Sequence, residues 1–354
     1  MQSKTGIGKM AECPVWDSGN LGRKTMKQVT VFGGSGFVGR HVVSRLAVRG
    51  LVVRVAVRDV AAASFVKPMG DVGQVTPVRA NILDEADVAS AVAGSDAVIN
   101  LVGILFSCGR QRFDAVHRDG AERIARLSKA AGVDRFVQMS ALGASSSSQS
   151  QYAWSKAAGE EAVREAFGEA SIVRPSVIFG PDDDFFNQFA GLARLSPFLP
   201  VFGCPFPTFR NGSVDFYGDG GTKLQPVYVG DVADAIVACL DRDDAAGQTY
   251  ELGGPTVYSF KQLMELVLSA TDRNCLLLPI PFWVASINAL FLGLLPKPLL
   301  TRDQVTLLKT DNVLSGAAPT LETLGITPSA AELIVPTYLD RFRRGGRFND
   351  AQTA

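Results

Sequence analysis

Charge of one sign is what this chain lacks: 35 Lys and Arg residues stand against 35 Asp and Glu, a formal net charge of zero. A protein that grips nucleic acid by its phosphates needs a basic excess, so no nucleic-acid partner is expected. Histidine is nearly absent, with only His41 and His117, and no carboxylates pair at ligand spacing, so no metal site is expected. The five cysteines (Cys13, Cys108, Cys204, Cys239, Cys275) are scattered and odd in number, which reads as free thiols in a reducing compartment. Long apolar runs are missing too. The most apolar stretch, Pro279 to Leu300, is broken by Pro281, Asn288, Pro296 and Pro298, leaving too little to span a bilayer. The first 26 residues have neither the apolar core of a signal peptide nor the acid-free, Arg-rich make-up of a transit peptide, since Glu12 and Asp17 interrupt the lysines. A loosely ordered tail is expected there.

What is present is an alternation of strand-like and helix-like segments, the mark of a doubly wound parallel sheet with crossover helices, an α/β Rossmann arrangement. Strands are expected at Val29–Phe32, Leu51–Val57, Gln74–Ala80, Asp96–Val102, Arg135–Ser140, Ser171–Pro175 and Gln248–Leu252. Helices are expected from the glycine-rich turn to Gly50, and over Asp84–Ala93, Asp114–Gly132, Tyr152–Ala166 and Val229–Leu240. Beyond Gly180 the pattern loosens into Pro-, Gly- and Phe-rich loops, and from Ser259 helices dominate. The expected division is a tail (1–26), a dinucleotide-binding domain (27–255) and a smaller, mainly helical C-terminal region (256–354) for docking or substrate.

Between the first strand and the first helix lies Gly33-Gly34-Ser35-Gly36-Phe37-Val38-Gly39. In this G-x-x-G-x-x-G frame Gly33 permits the tight turn, Gly36 lets a pyrophosphate approach the backbone, and Gly39 lets the helix pack close on its strand. Backbone N–H groups from Ser35 through Phe37 and Val38, assisted by the helix dipole, would face the phosphates. A glycine triplet alone is weak, but this one has a strand before it and a helix and second strand after it. Farther on, Tyr152 and Lys156 stand four apart on one helix face, where an ammonium lowers a phenol's pKa toward acid/base use. Ser140, ending its strand, is placed to hold a substrate oxygen beside them.

Together with Val173-Arg174-Pro175-Ser176-Val177-Ile178-Phe179-Gly180-Pro181, these motifs resemble the extended short-chain dehydrogenase/reductase superfamily. The resemblance implies that Pro175 and Val177 contact the nicotinamide. Asn81 and Ile82 would flank the adenine, and Leu101, Val102 and Gly103 would line the cleft. Lys67 to Gln74 (Lys-Pro-Met-Gly-Asp-Val-Gly-Gln), Asn100-Leu101-Val102-Gly103 and Thr301-Arg302-Asp303-Gln304-Val305 are similar, more narrowly, to the atypical branch that holds the nucleotide-binding accessory subunit of respiratory complex I, alpha-subcomplex subunit 9 type. That branch runs from about Lys27 to about Phe348 here. It implies tight NADPH binding, a structural or assembly role among complex I subunits, and no demonstrated turnover. Two departures stand out: the superfamily's active-site asparagine falls at about His117, which interrupts its proton relay, and Phe32 replaces the threonine before the glycines.

Cofactor choice rests on Arg58 at the end of the second strand. An arginine there accommodates a 2′-phosphate, whereas an acidic residue would bind the ribose 2′-hydroxyl. NADPH is therefore expected, with adjacent Asp59 keeping NAD open and Arg40 offering a second cation. His41 reads as a packing or surface residue, and Asp182-Asp183-Asp184 as a solvated loop more than a cation site. The basic run Arg341–Arg347 reads equally as a solvated helix end or a contact to anionic lipid. The apolar residues Phe282, Trp283, Val284, Ile287, Leu290, Phe291, Leu294 and Leu295 recur at helical spacing and suit peripheral attachment to a membrane surface or a membrane-bound subunit. In a bacterium that is the cytoplasmic side of the inner membrane; in a mitochondrion, the matrix side. The competing function class is an active NAD(P)-dependent reductase, epimerase or dehydratase on a small carbonyl or sugar-nucleotide substrate; a redox-sensing NADP-binding regulator explains less, because it needs no catalytic tyrosine.

Overall fold

The computed structural model describes residues 26–204, 208–210, 213–292 and 300–346. The expected tail, with Leu294, Leu295 and Lys297, lies outside them. Six strands, β1 (Gln28–Phe32), β2 (Val52–Val57), β3 (Val75–Arg79), β4 (Ala97–Asn100), β5 (Arg135–Met139) and β6 (Ser171–Pro175), join the strand Thr249–Leu252 in one sheet. Every pairing is parallel, and the order is Thr249–Leu252, β6, β5, β4, β1, β2, β3. The direction of winding reverses between β1 and β4, the point where such sheets open a ligand crevice at their strands' C-terminal ends.

Side chains leave the strands alternately toward two apolar layers. Val29, Val31, Val53, Val55, Ala97, Ile99 and Val137 pack with α1 (Phe37–Val48) and α6 (Val229–Asp241). Phe32, Ala56, Val98 and Phe136 pack on the other face with α2 (Glu85–Val92), α3 (Gly120–Ala130) and α4 (Gln151–Ala166). Burial on both faces is why these strands read as nearly continuous apolar runs.

The long helix expected from Asp114 begins differently: residues Asp114–Asp119 form a π-helical turn before α3. The Pro- and Phe-rich stretch, expected as loops, supplies α5 (Phe185–Leu195) and the strand Phe198–Phe202, which pairs in parallel with Leu276–Ile280. Around this ribbon gather α7 (Phe260–Thr271), α8 (Phe282–Leu292), α9 (Arg302–Leu307) and α10 (Ala331–Leu339), with a second core built on Phe179, Phe186, Leu199, Phe260, Leu263 and Val335. Asp183 fastens this region to the sheet. It is not part of a solvated loop: its buried carboxylate accepts N–H groups from Gly180, Phe186 and Asn187 and the Tyr338 hydroxyl at 2.6 Å, and burial raises its pKa. Asp182 pairs with Arg40 at 2.9 Å.

Not all apolar surface is covered. On α8, Trp283, Ile287 and Leu290 are exposed, spaced so as to share one helix face. Phe198, Leu276 and Leu278 are exposed on the outer face of the ribbon. Phe282, by contrast, turns inward against the second core.

Candidate functional site

The three glycines of the turn differ in what surrounds them. Gly33 has φ +76°, open to glycine but strained for other residues. A Cβ on Gly39 would overlap the Gly33 carbonyl and the Gly34 backbone, so α1 rests directly on the loop. A Cβ on Gly36 would meet only the Gly33 oxygen, at 3.2 Å, and point into open space. Gly36 is the N-cap of α1, no side chain satisfies the helix's first amides, and its first turn carries no acid. A diphosphate would fill that cradle, matching donors and dipole.

Opposite the loop, the end of β4 lies close: a Cβ on Gly33 would come within 3.3 Å of the Leu101 and Val102 backbone. Asn100 fixes this turn, accepting the Val102 N–H at 3.1 Å and donating to Gln138 at 2.9 Å. The chain then passes exposed Gly103, where a Cβ would sit 3.2 Å from Lys156 Nζ and 3.6 Å from His117 Nε2. Leu101, Val102 and Gly103 thus run from the glycine loop to Lys156.

Tyr152 and Lys156 meet beside the end of β5, which Ser140 directly follows. The Ser140 hydroxyl is buried without a hydrogen-bond partner, an arrangement that suits a missing oxygen ligand. Burial pushes the Tyr152 phenol up to about 12 and Lys156 down to about 8, with Glu160 opposing the second shift. The expected lowering of the phenol by Lys156 is therefore not present. The ammonium is 5.9 Å from the ring centroid and donates instead to the Met139 carbonyl at 3.4 Å.

His117 is locked as a neutral side chain. Its Nε2 accepts the Ile104 N–H at 3.0 Å, so Nδ1 carries the proton and donates to Ser155 Oγ at 2.9 Å; Ser155 donates onward to the Tyr152 carbonyl at 2.9 Å. Burial, then the nearby Lys156 charge, hold its pKa down to about 2. With both nitrogens engaged, the imidazole braces the π turn against α4, where a Cβ on Gly159 would overlap the His117 carbonyl.

At the other end of the cleft Arg58 is exposed and makes no hydrogen bond or ion pair with the described residues. Asp59 is engaged, its carboxylate accepting the Ala62 N–H at 3.0 Å. Arg40 is turned to Asp182. Asn81 uses its side chain locally, accepting the Leu83 N–H at 3.1 Å, and Ile82 packs into the core beside Gly120, with its carbonyl held by Arg123. Pro175 is buried at the end of β6, its carbonyl accepting the Leu142 N–H, and Val177 is half-buried just beyond. Among the described residues, no group of three or more His, Cys, Asp or Glu is arranged to hold a metal ion.

Sequence reasoning missed Asp303. Its carboxylate accepts the N–H groups of Gln151 and Tyr152 and the Ser150 hydroxyl, at 2.7–3.1 Å, capping the helix that carries Tyr152 and Lys156. The signal was the Thr-Arg-Asp-Gln motif, but nothing in it names a partner some 150 residues away.

Comparison with known proteins agrees with this architecture. Residues 29–253 match the NAD dependent epimerase/dehydratase family. The "NADH dehydrogenase [ubiquinone] 1 alpha subcomplex subunit 9, mitochondrial" of Mus musculus is 36% identical over 329 residues, covering 92% of this chain and 83% of that protein. The Arabidopsis thaliana protein of the same description is 34% identical over 355 residues, covering 96% and 83%. The UDP-glucose 4-epimerase of Thermus thermophilus, solved with NAD, superimposes with TM-score 0.64 at 20% identity over 89% of this chain and 98% of that one, a likeness of fold. The chain belongs to the nicotinamide-dinucleotide-dependent epimerase/dehydratase family and, within it, to the family of the complex I alpha subcomplex subunit 9 proteins.

Proposed function

We propose that this chain is an NADPH-holding accessory subunit of respiratory complex I, attached peripherally at the membrane interface and without turnover of its own. The complex I assignment rests on relatives of that description matched over more than nine-tenths of the chain. The observation that carries the choice of nucleotide is the contrast at residues 58 and 59. The acid that would favour NAD is tied into a local turn, and the cation that would meet a 2′-phosphate is unpaired among the described residues. The Gly36 cradle and the orphan Ser140 hydroxyl fit the two ends of one dinucleotide.

Bound NADPH would carry a transferable hydride that this reading leaves in place, and the chain's own residues would hold the nucleotide. Replacing Arg58 with Ala should remove charge-assisted contacts worth on the order of 1.5–3 kcal/mol from NADPH binding and leave NADH binding nearly unchanged. Calorimetric titration of both nucleotides checks this. Equal affinity of the native protein for NADH and NADPH would overturn the Arg58 assignment.

Attachment rests on the exposed Trp283, Ile287 and Leu290 face, an apolar surface suited to lipid or a membrane-bound subunit. No helix among the described residues is long and apolar enough to cross a membrane. The site we favour is the cytoplasmic side of a bacterial inner membrane, or the matrix side in a mitochondrion.

One observation favours a second reading, an active reductase: Ser140, Tyr152 and Lys156 remain together, and the serine hydroxyl is unpartnered. NADPH-dependent reduction of a carbonyl substrate that Tyr152→Phe abolishes would move the assignment to that reading.

A further inference from the structure

The segment Thr301–Val305 divides its polar residues between two helices. Thr301 and Gln304 cap α9 reciprocally: Thr301 Oγ1 accepts the Gln304 N–H at 3.1 Å, and Gln304 Oε1 accepts the Thr301 N–H at 2.8 Å. Asp303 serves the other helix. Its Oδ1 accepts the Gln151 N–H at 2.7 Å, and its Oδ2 accepts the Tyr152 N–H at 3.1 Å and the Ser150 hydroxyl at 2.8 Å. Ser150 Oγ in turn accepts the Ala153 N–H at 3.3 Å, so the first three amides of α4 end on Asp303 or on a hydroxyl that Asp303 holds. A carboxylate at the positive end of a helix adds a charge–dipole attraction to these bonds.

This cap comes from the region that carries the exposed apolar face. α9 packs against both α8 and α4, and its Val305 is buried in the second core. On the far side of α4, His117 and Ser155 hold the same first turn through the Tyr152 carbonyl. Tyr152 therefore has its N–H fixed by the C-terminal region and its carbonyl fixed by the sheet domain.

We propose that Asp303 is a positioning residue: it ties the seating of α8 and α9 to the placement of Tyr152 and Lys156 at the nicotinamide end of the cleft. This rests on the dinucleotide reading above. The glycine loop and Arg58 follow β1 and β2, which β4 separates from β5 and Ser140, and in that reading they take the diphosphate and adenine end. Loss of the cap should weaken contacts to the nicotinamide half of the nucleotide and spare the adenine half.

The test uses the full chain and two probes, NADPH and 2′,5′-ADP, which keeps the 2′-phosphate but lacks the nicotinamide. Asp303→Asn, which removes the charge from the helix's positive end and turns an NH2 donor toward groups that Asp303 accepts, should raise the Kd for NADPH about tenfold and leave that for 2′,5′-ADP unchanged. The fluorescence of bound NADPH should move toward that of the free nucleotide. Ser150→Ala, which removes one of the three bonds to Asp303 together with the bond from the Ala153 N–H, should give a change of the same kind and carries the test if Asp303→Asn does not fold. Equal weakening of both probes would show a general loss of structure, and no change in either would show an idle cap; each result overturns the proposal. Wild-type protein that binds neither probe overturns the dinucleotide reading, and this proposal with it.

Discussion

The glycine loop and α8 are both apolar, yet they meet their surroundings in opposite ways. Around the loop, Val31, Phe32, Val42 and Leu46 are wholly buried, and no side chain caps the start of α1. Along α8, Ala285 and Ala289 are buried while the larger Trp283, Ile287 and Leu290 face outward. The first region leaves polar backbone groups uncapped; the second leaves large apolar side chains uncovered. The proposed ligand and the proposed docking partner differ in the same way.

The sharpest way to break this comparison is at Gly39. Because a Cβ there would strike backbone, which cannot rotate away, Gly39→Ala should destabilise the fold by about 3 kcal/mol, measured by denaturant unfolding. Gly36→Ala should leave the unfolding midpoint nearly in place and still lose nucleotide, since its Cβ enters the cradle and not the core. Equal destabilisation by the two changes would contradict the separate roles given to these glycines.

At the other region, changing Trp283, Ile287 and Leu290 together to Ser should release the protein from membranes with its circular dichroism retained, because exposed substitutions cost little stability. Phe282→Ser should instead destabilise the C-terminal core, so Phe282, which the sequence grouped with the docking residues, serves as the contrasting control. Phe291 has no described side-chain environment and is left out of the test.

A subtler effect follows from His117. Its folded pKa of about 2 lies below the 6.5 of the free side chain, so the folded state binds fewer protons. That contribution is fully present above pH 6.5 and is lost as pH falls from there toward about 2. Lys156 has the same sign in a higher window, stability rising between about 8 and 10.5. His117→Asn, which cannot titrate, should flatten the acid side of a plot of melting temperature against pH. The smallest effect should come from Tyr152→Phe, which removes one hydroxyl and should leave assembly into the larger complex intact.

How much of this was legible depends on how local each signal is. The seven strands, the tight turn at Gly33 and the close packing at Gly39 could be read because burial on both faces and chain order write themselves into consecutive residues. The Ser140, Tyr152 and Lys156 cluster could be read from its strand-end and helix spacing. The direction of the Tyr152 shift could not, since it is set by the burial of the phenol, which only the folded chain decides. The π turn at Asp114–Asp119 was hidden because its apolar spacing resembles that of an α-helix. Asp303 and the Tyr338 contact of Asp183 were opaque for another reason: each joins segments that only folding brings together.

The most direct test of the central claim is purification of the native protein from detergent-solubilised membranes, with its bound nucleotide identified. The account predicts co-migration with complex I, NADP(H) as the nucleotide, and the same co-migration for Tyr152→Phe. A protein found free of the complex and carrying NAD(H), with a reductase activity that Tyr152→Phe abolishes, would contradict it.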